Sequence, residues 1–200
     1  MPVAPIYTIK NLKTFRSNDG GGFNASLYRD GTKVADVDDE GNGGSLMFHW
    51  LDHKAPRVAL TRPSHVRTAP GATYTRHATP EEARLLAYAD TLPPIKAHGL
   101  VIPEDEETVV SSLVADHEFM AKARRAFKTK VVGIQGDAMV TVNRPPTPEN
   151  IARVRAQHPA ITVVSDLPVD DALAMILAAS KTQRIPVDPA PAAKRRAARP

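Results

Sequence analysis

The chain has 200 residues, 42% of them apolar, with no cysteine and a formal net charge of +4. That length supports one moderate domain or two small ones with buried cores, and the lack of thiols removes disulfides, thiolate metal sites, iron–sulfur ligation and cysteine nucleophiles. The charge is unevenly placed: the last twenty residues carry six basic groups against Asp188, or +5, which leaves 20 basic and 21 acidic residues, or −1, for the other 180.

The opening segment "MPVAPIYTIKNLKTF" lacks the charged start and apolar stretch of a secretory leader, and no later run reaches bilayer-spanning length. A cytoplasmic protein with no membrane partner is therefore expected. Residues 1–53 read as an antiparallel β-meander. "IYTIKNLKTF" supplies the first strand, and in "FNASLYRDGTKVADV" the Asp30-Gly31 pair marks a two-residue turn, since both central positions of a type I′ turn need positive φ. Regular pairing across that turn puts Phe23, Ala25, Leu27 and Val34 on one face. The glycine-rich "DDEGNGG" then connects to a strand through Met47, Phe48, His49 and Trp50.

Residues 54–79 break the pattern. Prolines at 56, 63 and 70 and several basic residues without an acidic one suggest a long basic loop or insertion, the kind of segment that is usually functional or mobile. Residues 80–180 read as a mixed helix and strand region that packs on the meander. "TPEEARLLAYADTL" has Thr79 as cap, Pro80 in the first turn and Glu81 and Glu82 at the positive end of the dipole. A longer helix from about Glu104 to Phe127 starts acidic and ends basic. "KTKVVGIQGDAMVTVN" predicts a hairpin turning at Gly136-Asp137, "PTPENIARVRAQHP" a helix capped by Thr147, "AITVVSD" a strand, and "DLPVDDALAMILAAS" a last helix capped by Asp166, with Leu173, Ile176 and Leu177 as its buried stripe. Residues 181–200, rich in proline, alanine and arginine, bury little and should form a disordered basic tail. Strands first and mixed elements afterwards make the fold class α+β.

The motifs give few sites. Asp36, Asp38 and Glu40 have part of a calcium loop's spacing, but position twelve is Met47 where a bidentate glutamate belongs, so the stretch reads as a turn. His49 and His53 stand four apart with no third ligand specified, and no metal or cofactor is expected. No nucleophile elbow, phosphate-cradling loop or dinucleotide fingerprint occurs. An enzyme acting on an anionic or phosphorylated substrate would have to use His65, His77 or His117 with nearby arginines, an alternative that rests on residue types alone.

The stronger signal is cationic. "KARRAFKTK" places Lys122, Arg124, Arg125, Lys128 and Lys130 around Phe127, and the tail adds Lys194, Arg195, Arg196 and Arg199. Such groups neutralise phosphates and release counterions, while at a helix end they also complement the macrodipole.

The stretch "NLKTFRSNDGGGFNASLYRDGTKVADVDDEGNGGSLMFHW" resembles the start of small bacteriophage and mobile-element proteins in which a "KTF" strand, a "GFNA.LYRDG.KVA" hairpin and a "GNGG" loop recur in this order. The resemblance covers about the first 50 residues and implies a phage-encoded protein in the host cytoplasm, with no activity to carry over. The resulting expectation is a noncatalytic binding or accessory protein that engages a host protein or a nucleic acid with help from its basic tail.

Overall fold

In the computed structural model, which describes residues 6–17, 19–63, 73–97 and 100–181, the amino-terminal residues form an antiparallel sheet of β1 (Tyr7–Arg16), β2 (Gly21–Arg29), β3 (Thr32–Asp39) and β4 (Met47–Trp50), in that spatial order. The α+β class with an opening meander is thus realised. Asp30 and Gly31 take left-handed dihedrals, φ 49° and 81°, which close the type I′ turn between β2 and β3.

The register differs from regular pairing in one place. Arg29 faces Thr32 and Tyr28 faces Lys33, but Leu27 faces Ala35 rather than Val34. A β-bulge at this point shifts the inside–outside alternation of β3 by one residue. The reason lies in the sequence: an unbulged ladder would set Asp36 and Asp38 opposite Ala25 and Phe23 on the core face, where a carboxylate is costly to bury. With the bulge, Ala35 faces Leu27 and Val37 faces Ala25, both fully buried, Val34 at the bulge is buried too, and the half-buried Asp39 at the strand's end stands opposite Phe23.

The described residues divide into two compact units, those within 6–92 together with 104–118, and those within 93–103 together with 119–181. In the first, the apolar face of the meander meets α1 (Pro80–Ala89) and the start of α2 (Glu106–Thr129). Tyr7, Ile9, Phe23, Leu27 and Val37 close over Leu85, Val109 and Val110 in one core. Thr79 caps α1 in a reciprocal box, its hydroxyl accepting from Glu82 N–H while the Glu82 carboxylate accepts from Thr79 N–H. Asp105 and Thr108 make the same exchange at the start of α2.

The segment expected to be a loop contains a strand pair. β5 (Val58–Pro63) and β6 (Thr73–Ala78) are antiparallel in register from Val58↔Ala78 to Pro63↔Thr73. Pro63 sits at the strand's end, where a missing N–H is tolerated. Ion pairs tie the hairpin down: Arg62 meets Asp90 at 2.7 Å, and Arg76 meets Glu106 at 2.7 Å and Glu82 at 3.1 Å. Few of its side chains are buried, so no apolar alternation announced it. A short hairpin, β7 (Ile95–Ala97) with β8 (Leu100–Ile102), follows.

The second unit centres on β9 (Val131–Gln135), flanked by β10 (Ala138–Val142) and β11 (Thr162–Val163), all antiparallel. Successive residues of β9 serve opposite faces. Val131 packs with Val163 and with Ile151 and Val154 of α3 (Pro148–Gln157). Val132 packs with Ala123 and Phe127 of α2 and with Leu173 and Ile176 of α4 (Val169–Lys181). Gly133 is required by a close approach: a Cβ there would stand 2.4 Å from Ile161 Cγ2 and 3.0 Å from Thr162 O. Asp166, expected to cap the last helix, instead takes the Arg155 guanidinium at 2.8 Å and 2.9 Å. That contact holds its carboxyl below the ordinary range, and α4 starts only at Val169, with Pro168 O accepting from Ala172 N–H.

Candidate anion-binding site

The end of α2 repeats at helical spacing. Lys122, Arg125, Ala126 and Thr129 stand at i, i+3, i+4 and i+7, one stripe of the helix, beside the stripe of Ala123 and Phe127 that is buried. The stripe carrying Lys122 and Arg125 borders β10, and with Lys130, Met139 and Thr141 it lines an open pocket of about 370 Å³. Lys130 follows the helix, its N–H donating to Ala126 O at 2.8 Å. The lining thus offers two ammonium groups, one guanidinium and two threonine hydroxyls, and no carboxylate.

The cations around this pocket differ from six arginines elsewhere in the chain. Arg29, Arg62, Arg76, Arg84, Arg124 and Arg155 each lie in an ion pair with a carboxylate. Among the described residues, no carboxylate pairs with Lys122, Arg125 or Lys130. A lysine in a last helical turn gains about 0.3–1 kcal/mol from the macrodipole, which accounts for Lys128. Lys122 lies two turns from the helix end, and the dipole does not explain it.

The structure divides the cluster read from "KARRAFKTK". Lys122, Arg125 and Lys130 converge. Arg124 points to the other side of α2 and meets Asp170 at 2.8 Å. Lys128 is exposed and does not line the pocket. Lys194, Arg195, Arg196 and Arg199 lie outside the described residues. Met139 and Thr141 were missed by sequence reasoning, although their i, i+2 spacing in a strand puts them on one face.

The acidic loop holds itself together. Asp36 accepts from Lys33 Nζ at 2.7 Å and from Ser26 Oγ at 2.9 Å, and these contacts hold its carboxyl below the usual range. Asp38 takes Asn24 Nδ2 and, at 2.9 Å, His49 Nε2. Asp39 accepts from Gly41 N–H at 2.7 Å, and Asn42 from Gly44 N–H at 2.8 Å, the Asx turns that shape such a connection. Among the described residues, no three histidine or acidic side chains are grouped as a metal would need.

His49 and His53 both line a second pocket, on the first unit, of about 430 Å³. A carbonyl oxygen only accepts, so the His53 Nδ1 lying 3.0 Å from Trp50 O carries a proton. For the enzymatic alternative, His65 lies outside the described residues. His77 is exposed on β6 and His117 exposed on α2, and neither shares a hydrogen bond with a hydroxyl or an acid among the described residues. No nucleophile–base pair is thereby assembled around them.

The ion cluster at the start of α1 is structural. Glu81, at the start of α1, receives Arg29 Nε at 2.9 Å and Nη2 at 3.0 Å, and also Arg84. The Tyr7 hydroxyl is buried beside this cluster without a hydrogen-bond partner among the described residues, and burial, with Glu81 second, pushes it up to about 12.

These features define an α+β protein with a cation-lined pocket at the end of α2. No protein-family model, no curated protein and no solved structure matches the chain.

Proposed function

We propose that this is a noncatalytic binding protein, encoded by a bacteriophage or a related mobile element, that engages a phosphate-bearing host macromolecule through the pocket at the end of α2. Nucleic acid is the partner whose chemistry fits best. The observation that supports this reading is the convergence of Lys122, Arg125 and Lys130 on one pocket without a neutralising carboxylate. A guanidinium fork and two ammonium groups can each replace a condensed counterion on a phosphate backbone, giving affinity that depends little on base sequence and falls steeply with salt. The pocket has no aromatic lining, so base stacking is not part of the mode. The carboxy-terminal segment, +5 by sequence, adds long-range attraction of the same sign.

The test is a salt series with a mixed-sequence duplex, read as the slope of log affinity against log salt. Lys122→Glu combined with Arg125→Glu is expected to weaken binding and to flatten that slope by about 2, roughly 0.9 for each phosphate that is no longer neutralised. Arg124→Glu, outside the pocket, serves as control. Equal slopes for the double variant and the unaltered protein would remove the pocket from the function, and no binding at about 50 mM salt would remove nucleic acid.

A further inference from the structure

The amino-terminal sheet has two edges, and the chain treats them differently. Edge strand β1 is guarded: its register slips between Lys10 and Lys13, Asn11 takes φ 56°, and Lys10, Lys13 and Arg16 line it. Bulges and lysines are the usual devices against strand addition. β4, at the other edge, reads Met-Phe-His-Trp and pairs with β3 in unbroken register from Asp38↔Met47 to Ala35↔Trp50. It carries no lysine, arginine, proline or bulge.

The phase of that ladder is fixed by one hydrogen bond. Leu51 N–H donates to Val34 O at 3.0 Å. In an antiparallel pair the residues that exchange hydrogen bonds alternate, so His49 with Asp36 and Met47 with Asp38 do so as well. The N–H and C=O groups of Phe48 and Trp50 therefore point away from β3. Trp50 O is taken by the turn that follows, from His53 N–H at 3.3 Å and His53 Nδ1 at 3.0 Å. Phe48 N–H, Phe48 C=O and Trp50 N–H remain on the open edge, and no strand among the described residues pairs there.

Alongside lies the pocket of about 430 Å³, lined by Phe48, His49, Trp50, Leu51, His53 and Arg57, together with Asp36 and Thr79. Phe48 and Trp50 stack at 5.3 Å and 7°, which gives the groove an ordered wall. Met47 at the start of β4 and Leu51 just after it are 42% and 55% exposed, apolar surface that the described residues leave open. Of the charged groups in the lining, Asp36 is already bonded to Lys33 and Ser26. Arg57 has no carboxylate partner among the described residues.

We propose that β4 is a docking edge for an extended segment of a partner protein, which adds as a fifth strand and places an acidic side chain against Arg57. Backbone pairing with Phe48 and Trp50 supplies the affinity. The pocket selects alternate side chains of the guest, as in other strand-addition complexes. The surface belongs to the first unit and uses none of the residues of the phosphate-binding reading.

The test uses the full chain labelled with nitrogen-15 and two synthetic octapeptides, one alternating valine with glutamate and the other valine with lysine. The glutamate peptide is expected to slow amide exchange at Phe48 and Trp50 and to bind at least about tenfold more tightly than the lysine peptide. Arg57→Glu should reverse that preference. Phe48→Pro removes an outward N–H without touching the pairs made by Met47 and His49 and should abolish the protection. Should that variant fold poorly, the same peptide N-methylated at every second residue, offered to the unaltered protein, should fail to bind. No slowing at Phe48 and Trp50 by either peptide at about 1 mM, equal binding of both, or protection that grows with protein concentration alone, the mark of a second copy on the edge, would each overturn the proposal.

Discussion

At Gly133 the middle strand of the second unit passes under Ile161 with no room for a methyl group, since a Cβ would stand 2.4 Å from Ile161 Cγ2. Gly133→Ala must displace Ile161 or the strand. It is expected to cost about 1–3 kcal/mol, the usual range for overpacking a close contact, read as a lower urea midpoint at constant slope. An unchanged midpoint would mean that Ile161 yields freely. Tyr7 poses the opposite case, a buried hydroxyl with no hydrogen-bond partner among the described residues. Tyr7→Phe removes a polar atom that folding strips of water, so stability at neutral pH should hold or rise. The folded chain keeps the phenol proton from the ordinary 10.0 up to about 12, so unfolding releases that proton across this window. Stability accordingly falls as pH climbs through it, by up to about 3 kcal/mol. Titrating the unfolding free energy of the Phe variant against the unaltered protein isolates the effect, because the variant lacks this part of the alkaline loss.

Helices were the elements most legible in the sequence, because their ends are chemically marked. Thr79 and Thr147 each sit before a proline and accept from the backbone N–H three residues on, Glu82 and Asn150. Thr79→Ala should cost about 1 kcal/mol, visible as a lower unfolding temperature, whereas Thr79→Ser should cost little because the hydroxyl that accepts from Glu82 is kept. Asp166 was misread for a physical reason: a carboxylate just ahead of a helix is also a partner for any guanidinium within reach, and Arg155 takes it. The β5–β6 pair escaped detection because ion pairs at Arg62 and Arg76 hold it where apolar alternation would otherwise have shown it. The pocket at the end of α2 was half visible. Helical spacing sorts Lys122 and Arg125 from Arg124, but only tertiary structure brings Met139 and Thr141 to the same place.

Across the whole molecule, apolar side chains gather in separate clusters, one built on the meander and others on either face of β9. Leu173, fully buried in a cluster with Phe127 and Val132, should cost about 2–5 kcal/mol on truncation to alanine. The expected readout is faster amide exchange along Val131–Gln135 with protection of Ala25 and Leu27 unchanged. Equal loss in both strands would mean that the two units unfold as one. Charge is apportioned as well: Arg29, Arg62, Arg76 and Arg84 of the first unit and Arg124 and Arg155 of the second are each matched by a carboxylate, while Lys122, Arg125 and Lys130 gather around a pocket whose lining has none. No helix among the described residues is long and apolar enough to cross a membrane. The displaced residue between Leu27 and Ala35 is also the one that β3 can spare. Shortening the chain by one amino acid at Val34 would close the irregularity and leave Ala35 opposite Leu27 and Val37 opposite Ala25, with Asp36 still facing Ser26. A deletion there should cost the sheet little beyond the buried Val34 side chain and the bond from Leu51 N–H, and an added residue in the Asp30-Gly31 turn would be absorbed at the tip.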